Sequence, residues 1–135
     1  MVKKFTVFFV AVFLCSCLFA YAQQAGNKDF SRKEAENSSF KGMDLSGAKF
    51  IHTDLDNSNF EGTNLTGADF TRAELENCNF KNANLTNVNF SYADLGTANL
   101  RGANIKGANF THADLEKATW IDGKVCAEGS IGNCN

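Results

Sequence analysis

The 135-residue sequence lacks the motifs that mark most enzymes. It contains no metal-binding HExxH, no nucleophile elbow and no glycine loop of the kind that cradles phosphate. It also contains no CxxC pair, which argues against a thiol redox centre. We therefore expect a protein that is not an enzyme and that carries neither a metal nor a cofactor.

Long apolar runs are almost absent as well. The run at residues 5–19 is shorter than the roughly 18 residues that a membrane span needs. It follows Lys3 and Lys4 and precedes Ala20-Tyr21-Ala22, so it indicates an export signal over residues 1–22. We expect a periplasmic or extracellular protein. The alternative is a lipoprotein anchored through Cys17; without that lipid, no membrane contact is expected.

Basic residues are in the minority once this segment is removed. Cleavage would take away Lys3 and Lys4 and leave 11 of the 13 basic residues against 15 acidic ones. An acidic surface of this kind argues against a nucleic acid partner.

What the sequence does contain is a five-residue repeat from residue 38 to residue 120. Every position ending in 0 or 5 is large and apolar, from Phe40 to Trp120, and the residue two places earlier is small, with Met43 and Val88 as the exceptions. A period of five fits neither a helix nor a long strand, so each unit is expected to be one short side followed by a turn.

Four such sides would close a coil of 20 residues. Residues 20 apart should then stack in uniform columns, and Phe50, Phe70, Phe90 and Phe110 form one such column. The turns need positive φ at their third residue, where glycine or asparagine recurs at three of the four corners. The fourth corner carries His52, Arg72, Tyr92 and His112, for which we predict a different turn with negative φ.

Units such as Ala68-Asp69-Phe70-Thr71-Arg72 and Ala103-Asn104-Ile105-Lys106-Gly107 resemble the A(D/N)LxX pattern of pentapeptide repeat proteins. The resemblance implies an all-β fold, a right-handed quadrilateral β-helix of about four coils. It implies little about activity, although one branch of the family resembles DNA and modulates type II topoisomerases.

The ends of such a solenoid need caps. Residues 23–37 are predicted to form an N-terminal cap, with a capping box at Ser31 and Glu34 that indicates a brief helix over 32–36 and with Phe30 as its apolar contact. Residues 121–135 are predicted to form a C-terminal cap stapled by a disulfide between Cys126 and Cys134. Cys78 is expected to be a buried free thiol.

Outward positions must carry any binding function. Seven carboxylates flank the side that holds Leu55, Leu75, Leu95 and Leu115, and we call this side the acidic face: Asp54, Asp56, Glu74, Glu76, Asp94, Asp114 and Glu116. Its functional interpretation is a surface for a basic partner or for weakly bound divalent cations. Its other interpretation is a solvated face whose Asp and Asn reflect the repeat.

The corner beside the acidic face forms a second candidate, the edge patch of His52, Arg72, Tyr92 and His112. Arg72 is placed to pair with Asp54 or Glu74 across a coil. The sequence thus favours an exported structural or protein-interaction module whose partner and oligomeric state it does not identify. The alternative is a DNA-mimicking modulator of type II topoisomerase, which conflicts with the export signal and with so short a rod.

Overall fold

A computed structural model describes residues 28–135 and gives them the predicted quadrilateral β-helix. The described chain contains neither an α-helix nor an extended strand; it is built from single-residue β-bridges separated by turns. Fifteen parallel bridges each join residues 20 apart, from Asp29 and Lys49 at one end to Asn99 and Thr119 at the other. The export signal and the Cys17 lipidation site lie outside the described residues.

The predicted columns fill the interior. Phenylalanine rings stack coil on coil, as between Phe50 and Phe70 with centroids 4.7 Å apart. The two phenylalanine columns meet edge to face, as between Phe50 and Phe60 at 6.0 Å and 85°. Stacking fixes the coil spacing and edge contacts join the columns, so the aromatic core is continuous across coils.

Small residues complete this interior and satisfy its backbone. The hydroxyl of Thr53 donates to the carbonyl of Phe30 at 3.0 Å, and that of Thr63 donates to Phe40 at 2.8 Å. Cys78 is free and buried as predicted, with its Sγ 3.1 Å from the carbonyl of Leu55. Burial raises the pKa of the Cys78 thiol to about 12, so this cysteine stays protonated and unreactive.

The predicted negative φ at the fourth corner is wrong. His52, Arg72, Tyr92 and His112 all have positive φ, between 54° and 61°. The coil imposes this conformation, because the amide of His52 donates to the carbonyl of Thr71 in the next coil and Thr53 N closes the turn on Phe50 O. Those hydrogen bonds offset the steric cost of roughly 1 kcal/mol that a left-handed residue other than glycine carries.

The predicted helix over residues 32–36 is also wrong. Phe30 and Ala35 are buried at the large positions of the repeat, and Glu34 bridges Asp54 in the coil above. Ser31 does not cap a helix; its amide instead donates to Asp29 Oδ1 at 3.0 Å. The solenoid therefore begins no later than Asp29, nine residues before the predicted start at residue 38, because alanine serves as an inward residue where the sequence pattern expected leucine.

The disulfide-stapled C-terminal cap is confirmed. Cys126 and Cys134 are bonded, and they hold residues 121–135, which we call the tail, as a loop over the last coil. The tail pairs antiparallel with that coil at two bridges, Thr119 with Val125 and Asp114 with Ile131. Trp120 packs on Phe110 at 5.3 Å and is only partly buried.

Within residues 28–135 no helix has the length and apolar character to cross a membrane.

Candidate functional site

The acidic face is a stack of carboxylates in register. The residue that precedes each buried leucine bridges its equivalent one coil away, so Asp54, Glu74, Asp94 and Asp114 form one continuous column. The residue after each leucine forms a second column beside it, with Asp56, Glu76 and Glu116.

The structure adds Glu34 and Glu36 to this face, and the sequence interpretation missed both. Glu34 bridges Asp54 and so extends the first column by one coil, while Glu36 lies near Asp54 and Asp56. The signal that would have found them is the 20-residue spacing itself, which was overridden by the capping-box pattern of residues 31–34.

The carboxylates disturb one another's protonation. A hydrogen bond to Asp54 and the charges around it raise the pKa of Glu36. The negative charges of Asp94 and Asp56 raise the pKa of Glu76. Burial and neighbouring carboxylates raise the pKa of Asp56, despite the hydrogen bond that it accepts from the amide of Glu76 at 2.8 Å. The face therefore holds more negative charge than its own donors neutralise.

In the described part of the chain, Lys117 supplies a compensating cation at one end of the face. Lys117 contacts Glu116 at 2.9 Å and Glu128 at 3.3 Å, and its ammonium group lowers the pKa of Glu116. Arg72 does not form the predicted pair with Asp54 or Glu74; its guanidinium lies over the ring of Tyr92 at 5.6 Å.

Two local features shape the face. The carboxylate oxygens of Asp54, Asp56 and Glu74 lie within 4.8 Å of one another, a spacing that a divalent cation could bridge. Nearer the other end, Gly96 interrupts the second acidic column and opens a shallow depression of about 230 Å³. The depression is lined by Glu76, Asp94, Gly96, Thr97, Asp114, Glu116 and Lys117.

The edge patch is partly assembled. Tyr92 and His112 stack with centroids 4.9 Å apart, and Arg72 covers the other side of Tyr92. Among residues 28–135 no ring contact joins His52 to this group. The patch is thus a short exposed ladder of planar side chains over three coils, beside the acidic face.

The opposite side of the solenoid shows what the same repeat position does elsewhere. There the column before the buried residues is Asp44, Asn64, Asn84 and Asn104, which we call the amide face. The amide nitrogen of Asn84 donates to Asn64 Oδ1 at 3.4 Å and to Thr66 Oγ1 at 3.0 Å. Asparagine therefore ties neighbouring coils together, whereas a carboxylate at this position has no hydrogen to give.

Both residue types support the turn equally. Asn84 Oδ1 accepts the amide of Thr86 at 3.2 Å, and Asp94 Oδ1 accepts the amide of Gly96 at 2.9 Å. The local turn therefore does not require the negative charge of the acidic face.

Comparison with known proteins agrees with this architecture. The family model of pentapeptide repeats matches residues 44–82 and 83–119, in eight copies. No match was found among curated proteins.

Solved structures with the same fold are found in cyanobacteria. HetL, a pentapeptide repeat protein involved in heterocyst differentiation regulation from Nostoc sp. strain PCC 7120, is 31% identical with a TM-score of 0.69, over 71% of this chain and 44% of that one. Rfr23, a pentapeptide repeat protein from Cyanothece 51142, is 30% identical with a TM-score of 0.67, over 70% of this chain and 64% of that one. The chain spans less than two thirds of either protein.

A more distant match is full-length QnrB1, a plasmid-mediated fluoroquinolone resistance protein. It is 22% identical with a TM-score of 0.36, over 70% of this chain and 61% of that one.

Proposed function

The chain belongs to the pentapeptide repeat family, and we propose that it is an exported, non-enzymatic interaction module whose acidic face binds a basic surface of a partner protein. Members of this family are generally not enzymes. A stack of unneutralised carboxylates attracts a complementary basic surface and speeds encounter with it.

The single observation that carries this proposal is the surplus charge of the acidic face. Asparagine at the positions of Asp54, Asp94 and Asp114 would keep the turn bonds that these carboxylates accept. Asparagine would also add donors between coils, as it does at Asn84. It would also remove repulsion between charges stacked at roughly 4.8 Å. The chain keeps carboxylates at these positions and so gives up both the added donors and the relief of repulsion. Such a loss of stability is expected where the negative charge itself is needed for function.

Export rests on the sequence of residues 1–22 and agrees with the disulfide of the tail. A bond between Cys126 and Cys134 forms and persists in an oxidising compartment such as the periplasm. The intact mass of the full-length product, made in a bacterial host and fractionated, tests this point. We expect an envelope or medium species that begins at Gln23 and gains two hydrogens on reduction. A cytoplasmic, uncleaved and reduced species would contradict export.

Partner binding is tested by a pull-down from envelope extract with a neutralised face. The variant Asp54→Asn, Glu74→Asn, Asp94→Asn and Asp114→Asn should lose the partner. The matched control removes the same charge elsewhere, through Asp44→Asn, Glu61→Gln, Asp69→Asn and Asp122→Asn, and should retain it. Raising the salt concentration from 0.05 to about 0.5 M should weaken the unmodified complex, because the Debye length shortens several-fold. If the first variant retains the same partner, the acidic face is only a solvated surface and does not bind that partner.

A further inference from the structure

One corner of the solenoid differs from the other three in the residues that it uses. We call these residues the corner column, and they follow one another coil by coil: Arg32, His52, Arg72, Tyr92 and His112. All of them have positive φ, between 54° and 61°. The other corners mostly use glycine or asparagine, which adopt this conformation at a lower steric cost. Bulky side chains that keep an unfavourable backbone in successive coils indicate that the side chains themselves have a role.

The corner column presents unused hydrogen-bonding groups to solvent. Its side chains are exposed, and Tyr92 is 54% exposed. Arg72, Tyr92 and His112 contact one another through their flat faces, which leaves their polar edges free. Among residues 28–135, no side chain of the corner column makes a hydrogen bond or an ion pair. Guanidinium, phenol and imidazole groups all carry donors, so the column is a row of unpaired donors.

A carboxylate accompanies every residue of the corner column. It lies two positions later in the chain and belongs to the first acidic column, which gives five pairs: Arg32 with Glu34, His52 with Asp54, Arg72 with Glu74, Tyr92 with Asp94, and His112 with Asp114. Bridges between coils keep these carboxylates in register.

These carboxylates retain acceptors for a ligand. Asp94 Oδ1 accepts the amide of Gly96 at 2.9 Å, and Asp114 Oδ1 accepts that of Glu116 at 2.8 Å. The second oxygen of Asp94 and of Asp114 has no hydrogen-bond partner in the described chain. Each coil thus offers a donor beside an acceptor, and the two do not bond to each other.

This combination of groups selects the class of ligand. A polyanion such as nucleic acid is repelled by the carboxylates, and a polycation leaves the donors of Arg72 and Tyr92 unused. A hydroxyl group, in contrast, donates to a carboxylate and accepts from a guanidinium, phenol or imidazole at the same time. An uncharged ligand with many hydroxyl groups therefore satisfies both members of each pair.

The pairs recur at a constant spacing. Neighbouring coils lie roughly 4.8 Å apart, which is about the length of one pyranose unit along an extended polysaccharide. From this repetition we propose that the corner column and the first acidic column together bind a neutral polysaccharide chain that lies along the solenoid axis. This ligand is separate from the basic partner proposed above, and its binding does not depend on that partner.

Titration calorimetry of the protein made from the full chain tests this proposal with oligomers of glucose and of N-acetylglucosamine. In at least one of the two series, the hexamer should bind at least tenfold more tightly than the dimer, because a longer chain engages more coils. A hexamer of uronic acid should bind at least tenfold more weakly than the neutral hexamer. The proposal is overturned if neither neutral series binds at up to about 10 mM, if dimer and hexamer bind equally, or if the uronic acid hexamer binds more tightly.

Variants locate the binding site. Arg72→Gly, Tyr92→Gly and His112→Gly together remove three donors, and glycine suits the left-handed backbone at these positions, so the coils should remain folded. Affinity for the neutral hexamer should fall at least tenfold. The matched control makes the same change at the other corners, through Asn57→Gly, Asn82→Gly and Asn87→Gly, and should keep full affinity. Circular dichroism checks the fold of both variants. Full affinity in the first variant, or an equal loss in both, would refute the site.

Salt distinguishes this contact from the protein contact of the acidic face. Affinity for the neutral hexamer should change less than about twofold between 0.05 and about 0.5 M salt, because no ion pair forms. A tenfold loss of affinity over this range would overturn a neutral ligand. The corner variant keeps every carboxylate of the acidic face and should still bind the basic partner, so the two proposals fail separately.

Discussion

The amide face and the acidic face lie on opposite sides of one solenoid and follow the same five-residue rule, but they differ in what holds adjacent coils together. On the amide face, Asn84 and Asn104 donate to side chains of the coil below, at 3.0 and 3.1 Å. On the acidic face, Asp94 and Asp114 accept their own turn amides and donate nothing. The comparison teaches that Asn and Asp before a buried residue both accept the turn amide, whereas only Asn also donates to the neighbouring coil.

The buried side of each face tests whether this difference is confined to the surface. Leu75, inside the acidic face, and Leu85, inside the amide face, are both 0% exposed. Leu75→Ala and Leu85→Ala should each lower the free energy of unfolding by about 3 kcal/mol, because each leaves a cavity of the same size. Chemical denaturation followed by circular dichroism measures both. A difference of more than about 1 kcal/mol would mean that the two faces also differ in their packing.

Placing a carboxylate on the amide face should break the side-chain hydrogen bonds that join its coils. Asn84→Asp keeps the acceptor for Thr86 and loses the donors to Asn64 and Thr66. We expect a loss of about 1 kcal/mol in the free energy of unfolding. Asn87→Asp adds the same charge at an exposed corner, where the side chain donates no hydrogen bond to another described residue, so this change should be nearly neutral. Equal losses in the two variants would assign the effect to charge rather than to the ladder.

The reverse change should add a side-chain hydrogen bond between coils on the acidic face. Asp94→Asn supplies an amide that can donate to Glu74 in the coil below, as Asn89 donates to Asp69 at 3.3 Å. We expect the free energy of unfolding to rise by about 0.5 kcal/mol. Asp69→Asn is the matched control, since Asp69 already has an amide donor, and it should bring no gain. Destabilisation by Asp94→Asn would show that the carboxylate has a structural role.

Lowering the pH should have the smallest effect on the stability of the fold. The pKa values of Glu36, Asp56 and Glu76 are raised in the folded chain by neighbouring carboxylates, hydrogen bonding and burial. Folded protein therefore binds these protons more readily than unfolded protein. Stability should rise as the pH falls from 7 through their folded pKa values, and this gain is complete near their ordinary values of 3.8 and 4.5.

Other carboxylates limit this gain at lower pH. The pKa values of Asp44 and Glu61 are lowered, first by hydrogen bonds to Ser46 and Lys41 respectively. Their stabilisation is lost as the pH falls below about 4. The melting temperature should therefore pass through a maximum between about pH 4 and 6, and this rise should vanish in the variant with four neutralised acidic positions. A melting temperature that falls steadily from pH 7 would contradict the repulsion on the acidic face.

Much of this architecture could be predicted from the sequence because one short rule repeats many times. Phe50 and Phe70 stack because they are 20 residues apart, and no contact from elsewhere in the chain modifies that relation. The pairing of Cys126 with Cys134 was predictable for a similar reason, since both lie outside the repeats in one short segment. The acidic face followed from the same spacing, apart from Glu34 and Glu36, where a local capping pattern resembled a helix start.

What the sequence by itself determined is the coil, its four columns, its buried thiol and its stapled end, because each depends on side chains within one repeat or one period. Only the tertiary structure decided the rest. The left-handed backbone at His52 is imposed by the next coil, against the residue's own preference, because the amide of His52 donates a hydrogen bond to the carbonyl of Thr71. The position of the looped tail over the last coil depends on where that tail can pair with the coil. The contrast between the two faces depends on the stacking of coils, which brings a donor of one coil to an acceptor of the next on the amide face.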